Sequence, residues 1–132
     1  MAFCVNHRHS DQSVPLPAAQ SQTRRLIPGY LFAFEAATGK QKWQWPTPSS
    51  LQVYSSCAIA EGIAYFGTGD ALSVCTTPAH PKPKPAHFLA VNIATGKEKW
   101  RFRTDGHVYS SPAVVDGTIY FGCLDGYVYA VK

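Results

Sequence analysis

Two stretches of this sequence are copies of one another. Residues 33–43 read AFEAATGKQKW and residues 90–100 read AVNIATGKEKW, so both follow Ala-x-x-x-x-Thr-Gly-Lys-x-Lys-Trp. The agreement continues downstream. Tyr54-Ser55-Ser56, Glu61-Gly62 and Ala64-Tyr65-Phe66-Gly67 are answered by Tyr109-Ser110-Ser111, Asp116-Gly117 and Ile119-Tyr120-Phe121-Gly122. A third copy opens at Tyr127-Val128-Tyr129-Ala130-Val131. Once an insertion at residues 71–87 is set aside, the period is about 40 residues, a length that marks propellers and other repeat arrays.

Each unit carries four short runs rich in Val, Ile, Tyr, Phe and Trp. In the cleaner copy these are residues 88–93, 98–103, 111–115 and 118–124. Such runs, broken by turn residues, read as strands. Thr95-Gly96 and Asp116-Gly117 supply the turns, because glycine accepts a positive φ without steric cost. No window shows the i, i+3, i+4, i+7 apolar pattern of a helix. Four antiparallel strands per period describe one blade of a β-propeller.

The pattern Ala-x-(acid)-x-x-Thr-Gly-x-x-x-Trp, followed by Ser-Ser-Pro-x-Val-x-(Asp/Gly)-Gly-x-(Ile/Val)-Tyr-x-Gly, resembles the tryptophan-docking repeat of the PQQ-like (pyrroloquinoline-quinone-type) β-propeller family. Residues 110–122, SSPAVVDGTIYFG, fit it closely. The upstream copy departs at Cys57, where the family has Pro, and the acidic position holds Glu35 in one copy and Asn92 in the other. The resemblance covers residues 30–132 apart from the insertion. The expected fold is all-β: a partial β-propeller of about two four-stranded antiparallel blades plus the first strand of a third. The expected divisions are a poorly ordered leader at 1–29, a blade at 30–70, the insertion at 71–87, a second blade at 88–126 and a further strand at 127–132.

The expected structural set is Ala33, Thr38, Gly39, Trp43, Gly62 and Gly67 in one copy, and Ala90, Thr95, Gly96, Trp100, Gly117 and Gly122 in the other. The resemblance implies that each indole packs on the neighbouring blade rather than stacking on a ligand. A side chain of that size buries about 150–250 Å², on the order of 4–6 kcal/mol gross at roughly 25 cal/mol per Å². The small Ala33 and Ala90 leave room for close approach. Trp45 has no counterpart, since Phe102 holds its place.

The chain has 132 residues, enough for little more than two such blades, whereas propellers close with about 4–8. Two blades alone would leave apolar faces open to water, which soluble monomers seldom tolerate. The chain is therefore expected to be a piece of a larger propeller, or to close a ring with further copies of itself. The net charge is +4 and the basic residues are scattered, unlike the dense stripe of a nucleic-acid surface. In Lys99-Trp100-Arg101-Phe102-Arg103 the alternation points to one wet strand face and one packed face. No run of apolar residues is long enough to span a membrane as a helix.

Cys4, Cys57, Cys75 and Cys123 lack zinc-site spacing. They are read as buried free thiols, with a disulfide left open because pairing is not legible from spacing. His7 and His9, and His80 and His87 around the insertion, are assigned no metal role. The insertion alternates Pro78, Pro81, Pro83 and Pro85 with Lys82 and Lys84, which favours extended polyproline II. It is read as an exposed loop between blades.

No Gly-rich phosphate loop, nucleophile elbow or paired catalytic carboxylate is present. No residue is assigned a catalytic or metal-ligating role. The resemblance implies a non-catalytic module, a protein-interaction or assembly scaffold with protein partners. The alternative it implies is part of a quinoprotein, a PQQ-dependent alcohol or sugar dehydrogenase using PQQ with a divalent metal. A third is an appendage of a larger enzyme. It also implies a periplasmic or extracellular location, although the leader lacks the apolar stretch of a secretory signal.

Overall fold

The computed structural model describes residues 29–48, 51–69 and 85–132. Most of the leader and of the insertion lie outside the described residues, and with them the expectations placed there. Ten strands and no helix are present among the described residues: β1 (Tyr30–Phe34), β2 (Gln41–Pro46), β3 (Gln52–Val53), β4 (Ala58–Ala60), β5 (Ile63–Gly69), β6 (Ala86–Asn92), β7 (Glu98–Thr104), β8 (Ala113–Val115), β9 (Thr118–Gly122) and β10 (Val128–Val131). Among the described residues all pairings are antiparallel and no sheet closes on itself. The chain is all-β, with the open sheets of a partial propeller.

Three sheets follow one another. The first is β1-β2, the middle one runs β4-β5-β6-β7 with β3 extending the β4 edge of β5, and the last is β8-β9-β10. These sheets are offset from the sequence units by two strands. The copy that opens near Phe88 begins at the third strand of the middle sheet, so its Thr-Gly turn joins the third and fourth strands. The insertion joins β5 to β6, which pair directly, for example Tyr65 with Ala90. It therefore leaves from within one sheet and not, as the sequence suggested, from between two. A repeat period fixes the spacing of strands but not where a sheet starts.

Both copies fold alike in detail. The hairpins at Glu61-Gly62 and Asp116-Gly117 each have positive φ at both central residues, 49° and 74° in one, 48° and 73° in the other. That is the two-residue turn whose twist matches the flanking strands. A bulge falls between Ala33 and Phe34 in β1, and another between Ala90 and Val91 in β6, the same place in the repeat.

The core lies between the sheets. Leu31, Val53, Phe66, Leu89 and Val91 are buried together between the first and middle sheets, with Trp43, Trp45 and Cys57 against them. Phe88, Val108, Ile119 and Phe121 fill the joint between the middle and last sheets, with Tyr65, Trp100, Val114, Tyr129 and Val131 at their margin. Phe88 and Phe121 stack with centroids 3.8 Å apart. The middle sheet is thus covered on both faces, which is why β6 reads as a near-continuous apolar run. Strands β4 and β8 lie against one another, so the two larger sheets converge at those edges.

Candidate functional site

The repeated motif resolves into a joint between sheets. Ala33 pairs across the strands with Trp43, and Ala90 with Trp100. The alanine in the motif is thus the small residue directly opposite the indole, where a larger side chain would compete for the same face. From there Trp43 reaches the next sheet. Its Nε1–H donates to the Ile93 carbonyl at 2.8 Å, and its ring covers Gly96. A Cβ built on Gly96 would lie 2.7 Å from the indole Cδ2, closer than carbon atoms approach.

The turn under the indole is fixed by its own polar groups. Gly39 N–H donates to Glu35 O, and Gly96 N–H donates to Asn92 O, each at 2.8 Å. The Thr38 hydroxyl donates to Glu35 Oε2 at 2.6 Å. In the other copy Asn92 Oδ1 accepts from the Ala94 and Thr95 amides and from the Thr95 hydroxyl, at 2.9, 3.0 and 3.2 Å. Glu35 and Asn92 differ chemically, yet both are local acceptors that hold the threonine. Gly39 has the same φ as Gly96, 69°, but nothing within 4 Å of its Cβ position. Trp100 packs on Tyr65 and Phe88 at centroid distances of 5.9 and 6.2 Å.

A second repeated device was not legible as such. Ser55 Oγ accepts from the Gly67 amide at 2.7 Å. Ser110 Oγ accepts from the Gly122 amide and donates to the Gly122 carbonyl, both at 2.8 Å. Each serine thereby ties the segment entering a sheet to the second strand of that sheet, doing the work of a missing strand pair. Val108 lies directly on Gly67, leaving no room there for a side chain. The repeat of Ser and Gly was visible in the sequence. Their partnership was not, because it spans 12 residues and a turn.

The same segments bring aromatic residues to one rim. Tyr54 and Tyr109, equivalent in the repeat, meet edge to face at 5.1 Å. Tyr109 Oη lies 2.8 Å from the buried His107 Nδ1. Tyr54 donates to Gln52 Oε1 at 2.8 Å. At the opening of β6, Thr68 Oγ1 donates to His87 O at 2.8 Å and accepts from His87 N at 3.0 Å. His87 titrates below its ordinary range, because burial disfavours the imidazolium and Arg101 and Arg103 repel it, with Glu98 opposing. Arg101 forms a two-pronged pair with Glu98, 2.7 Å in each prong, on the exposed face of β7.

Beyond β9, Tyr129 Oη donates to Asp125 Oδ2 at 2.7 Å. That bond, with burial and the carboxylate charge behind it, pushes the phenol up to about 12. Burial works to raise Asp125, but the hydrogen bonds from Tyr129 and from the Tyr127 amide hold it below its ordinary value. Cys123 is a free thiol, raised chiefly by burial. Cys57 is disulfide-bonded, which corrects the reading of four free thiols. Its partner lies outside the described residues.

Among the described residues, no three of His, Cys, Asp and Glu stand together as a metal site. No helix among them is long and apolar enough to cross a membrane. Of the motif residues, Trp43 with Gly96 and Trp100 lie at the joints between sheets. The last sheet is treated unequally by this joining. Val114, Ile119, Phe121, Tyr129 and Val131 pack against the middle sheet. The pairings of Ala113 with Tyr120, Tyr120 with Ala130 and Gly122 with Val128 place these residues together on its other face. There Ala113, Val115, Tyr120, Val128 and Ala130 are all exposed. Val128 is 79% and Tyr120 43% accessible.

A family model described as outer membrane protein assembly factor BamB matches residues 28–132. The chain matches none of the curated proteins.

Proposed function

Because the chain belongs to the PQQ-like repeat family that the outer membrane protein assembly factor BamB describes, we propose that it is a non-catalytic assembly scaffold that works by docking to protein. The reading places it in the cell envelope, in the periplasm or at the outer membrane, by the description of that family. The observation that carries it is the uncharged outer face of β8-β10. Exposed faces of antiparallel sheets normally alternate to polar residues, and monomers seldom leave a broad apolar face in water. Here the outer face presents Ala113, Val115, Tyr120, Val128 and Ala130 beside the polar Thr118, with Leu124 and Tyr127 exposed nearby.

The test is a photo-reactive amino acid placed at Tyr120, on the same face as Val128, in cells that produce the chain. The scaffold reading expects covalent adducts to protein, lost when Val128→Asp puts a charge on the same face. Absence of protein adducts, together with PQQ- and calcium-dependent reduction of a dye by an alcohol or sugar, would replace this reading with the dehydrogenase.

A further inference from the structure

We infer that the free edge of β7 is a docking surface for an extended acidic peptide, which adds to the middle sheet as a further strand. The inference goes beyond the scaffold reading, and it stands whether or not the outer face of β8-β10 takes a partner. β7 ends the strand order β3-β5-β6-β7. Its backbone groups that point away from β6 bond to no other backbone group among the described residues. Such a row is a template for one more strand. The neighbouring sheets pack on the two faces of the middle sheet. A sheet stacked in the same manner covers a face and leaves this edge open, so the opening does not depend on where the sequence begins or ends.

The side chains say which strand fits. Lys99, Arg101 and Arg103 fall on alternate positions of β7, and all three are exposed. Arg101 stands opposite Leu89 and Arg103 opposite His87, so no acid meets the row from within the sheet. Glu98 is the one carboxylate of β7, and Arg101 holds it at 2.7 Å. Among the described residues Lys99 and Arg103 have no ion-pair partner. The lowered titration of His87, caused first by burial and then by Arg101 and Arg103, reports the same uncompensated charge. Between the cations, Trp100 and Phe102 belong to the other face, opposite Ala90 and Phe88, and Phe102 is 36% accessible. A strand that alternates carboxylates with apolar residues answers both faces at once. A second β7 laid in register does not, since it sets cation against cation.

The experiment is nitrogen-15 NMR of the full chain, titrated with a synthetic peptide as long as β7 that alternates glutamate and valine. A scrambled peptide of the same composition keeps the charge and loses the alternation. The alternating peptide is expected to bind more tightly than the scrambled one and to slow amide exchange at every second residue of 98–104. His87 is expected to titrate higher in the complex, because the added carboxylates offset Arg101 and Arg103. Arg103→Glu, at an exposed position with no ion pair to lose, is expected to keep the wild-type spectrum elsewhere and to bind about tenfold more weakly. Absence of binding overturns the inference. Equal affinity for the scrambled peptide overturns it too, because diffuse attraction then accounts for the contact. So does unchanged exchange across β7, or unchanged affinity in Arg103→Glu. Shifts confined to β8-β10 would overturn the edge site while leaving the scaffold reading standing.

Discussion

Gly39 and Gly96 form a natural controlled comparison. They occupy the same place in the repeat and have the same φ of 69°. Alanine at either position must adopt a left-handed conformation that costs about 1–2 kcal/mol. Only at Gly96 would the new methyl also meet an indole, 2.7 Å from Cδ2 and 2.8 Å from Cγ of Trp43. Forcing a methyl into a packed contact of this kind costs about 1–3 kcal/mol more. Gly39→Ala is thus expected to lose about 1–2 kcal/mol and Gly96→Ala about 2–5 kcal/mol in total. Equilibrium urea unfolding followed by tryptophan fluorescence reads both. The denaturant slope should match the wild type, so that midpoint shifts report stability. In Gly96→Ala the emission should also move to the red as the indole leaves its seat. Equal losses at the two glycines would refute the reasoning, since the backbone cost alone would then account for both.

Four further outcomes follow from the same contacts. Trp43→Phe leaves the Ile93 carbonyl without its donor and should cost about 1–3 kcal/mol. Trp100→Phe, with no such bond among the described residues, should cost less in the same urea series. Ser110→Ala should speed amide exchange at Gly122 and lower the urea midpoint, by about 1–3 kcal/mol. The Tyr129–Asp125 contact sets two pH limits. Its tyrosine part is fully present below the ordinary phenol value of 10.0 and is lost as pH rises through about 12. Its carboxylate part is present above the ordinary 3.8 and is lost as pH falls through the lowered value. Tyr129→Phe should remove one late-titrating phenol from an alkaline ultraviolet titration and flatten the acid limb of the stability curve. Finally, alkylation of the unfolded, unreduced chain should label Cys123 and spare Cys57, as peptide mapping would show.

The repeat made most of the strands legible. Four runs expected in the cleaner copy overlap β6, β7, β8 and β9, because alternating apolar residues between Gly turns leave little choice of period. The turn glycines followed from their left-handed role alone. Sequence also pointed to the indole as a packing group, and Trp43 seated on Gly96 gives that expectation its partner. Three features stayed hidden for physical reasons. The phase of the sheets is one, since a run such as residues 88–93 has the same composition at the start of a sheet or in its middle. The serine clamp is another, because Ser110 and Gly122 meet only after the chain has turned. The disulfide at Cys57 is the third, as thiol pairing depends on geometry that spacing does not carry. The bare face of β8-β10 lay between these cases. Ala113, Val115, Tyr120 and Val128 were plainly apolar in the sequence, but only strand pairing shows that they share one side.

The central claim is that the motif tryptophan joins neighbouring sheets. Solvent exchange of the indole N–H groups, observed by nitrogen-edited NMR, tests it most directly. Trp43, bonded to Ile93 O across the joint, should keep its proton far longer than Trp100 does. If the Trp43 indole exchanges as fast as that of Trp100, the docked joint is absent and the account built on it fails.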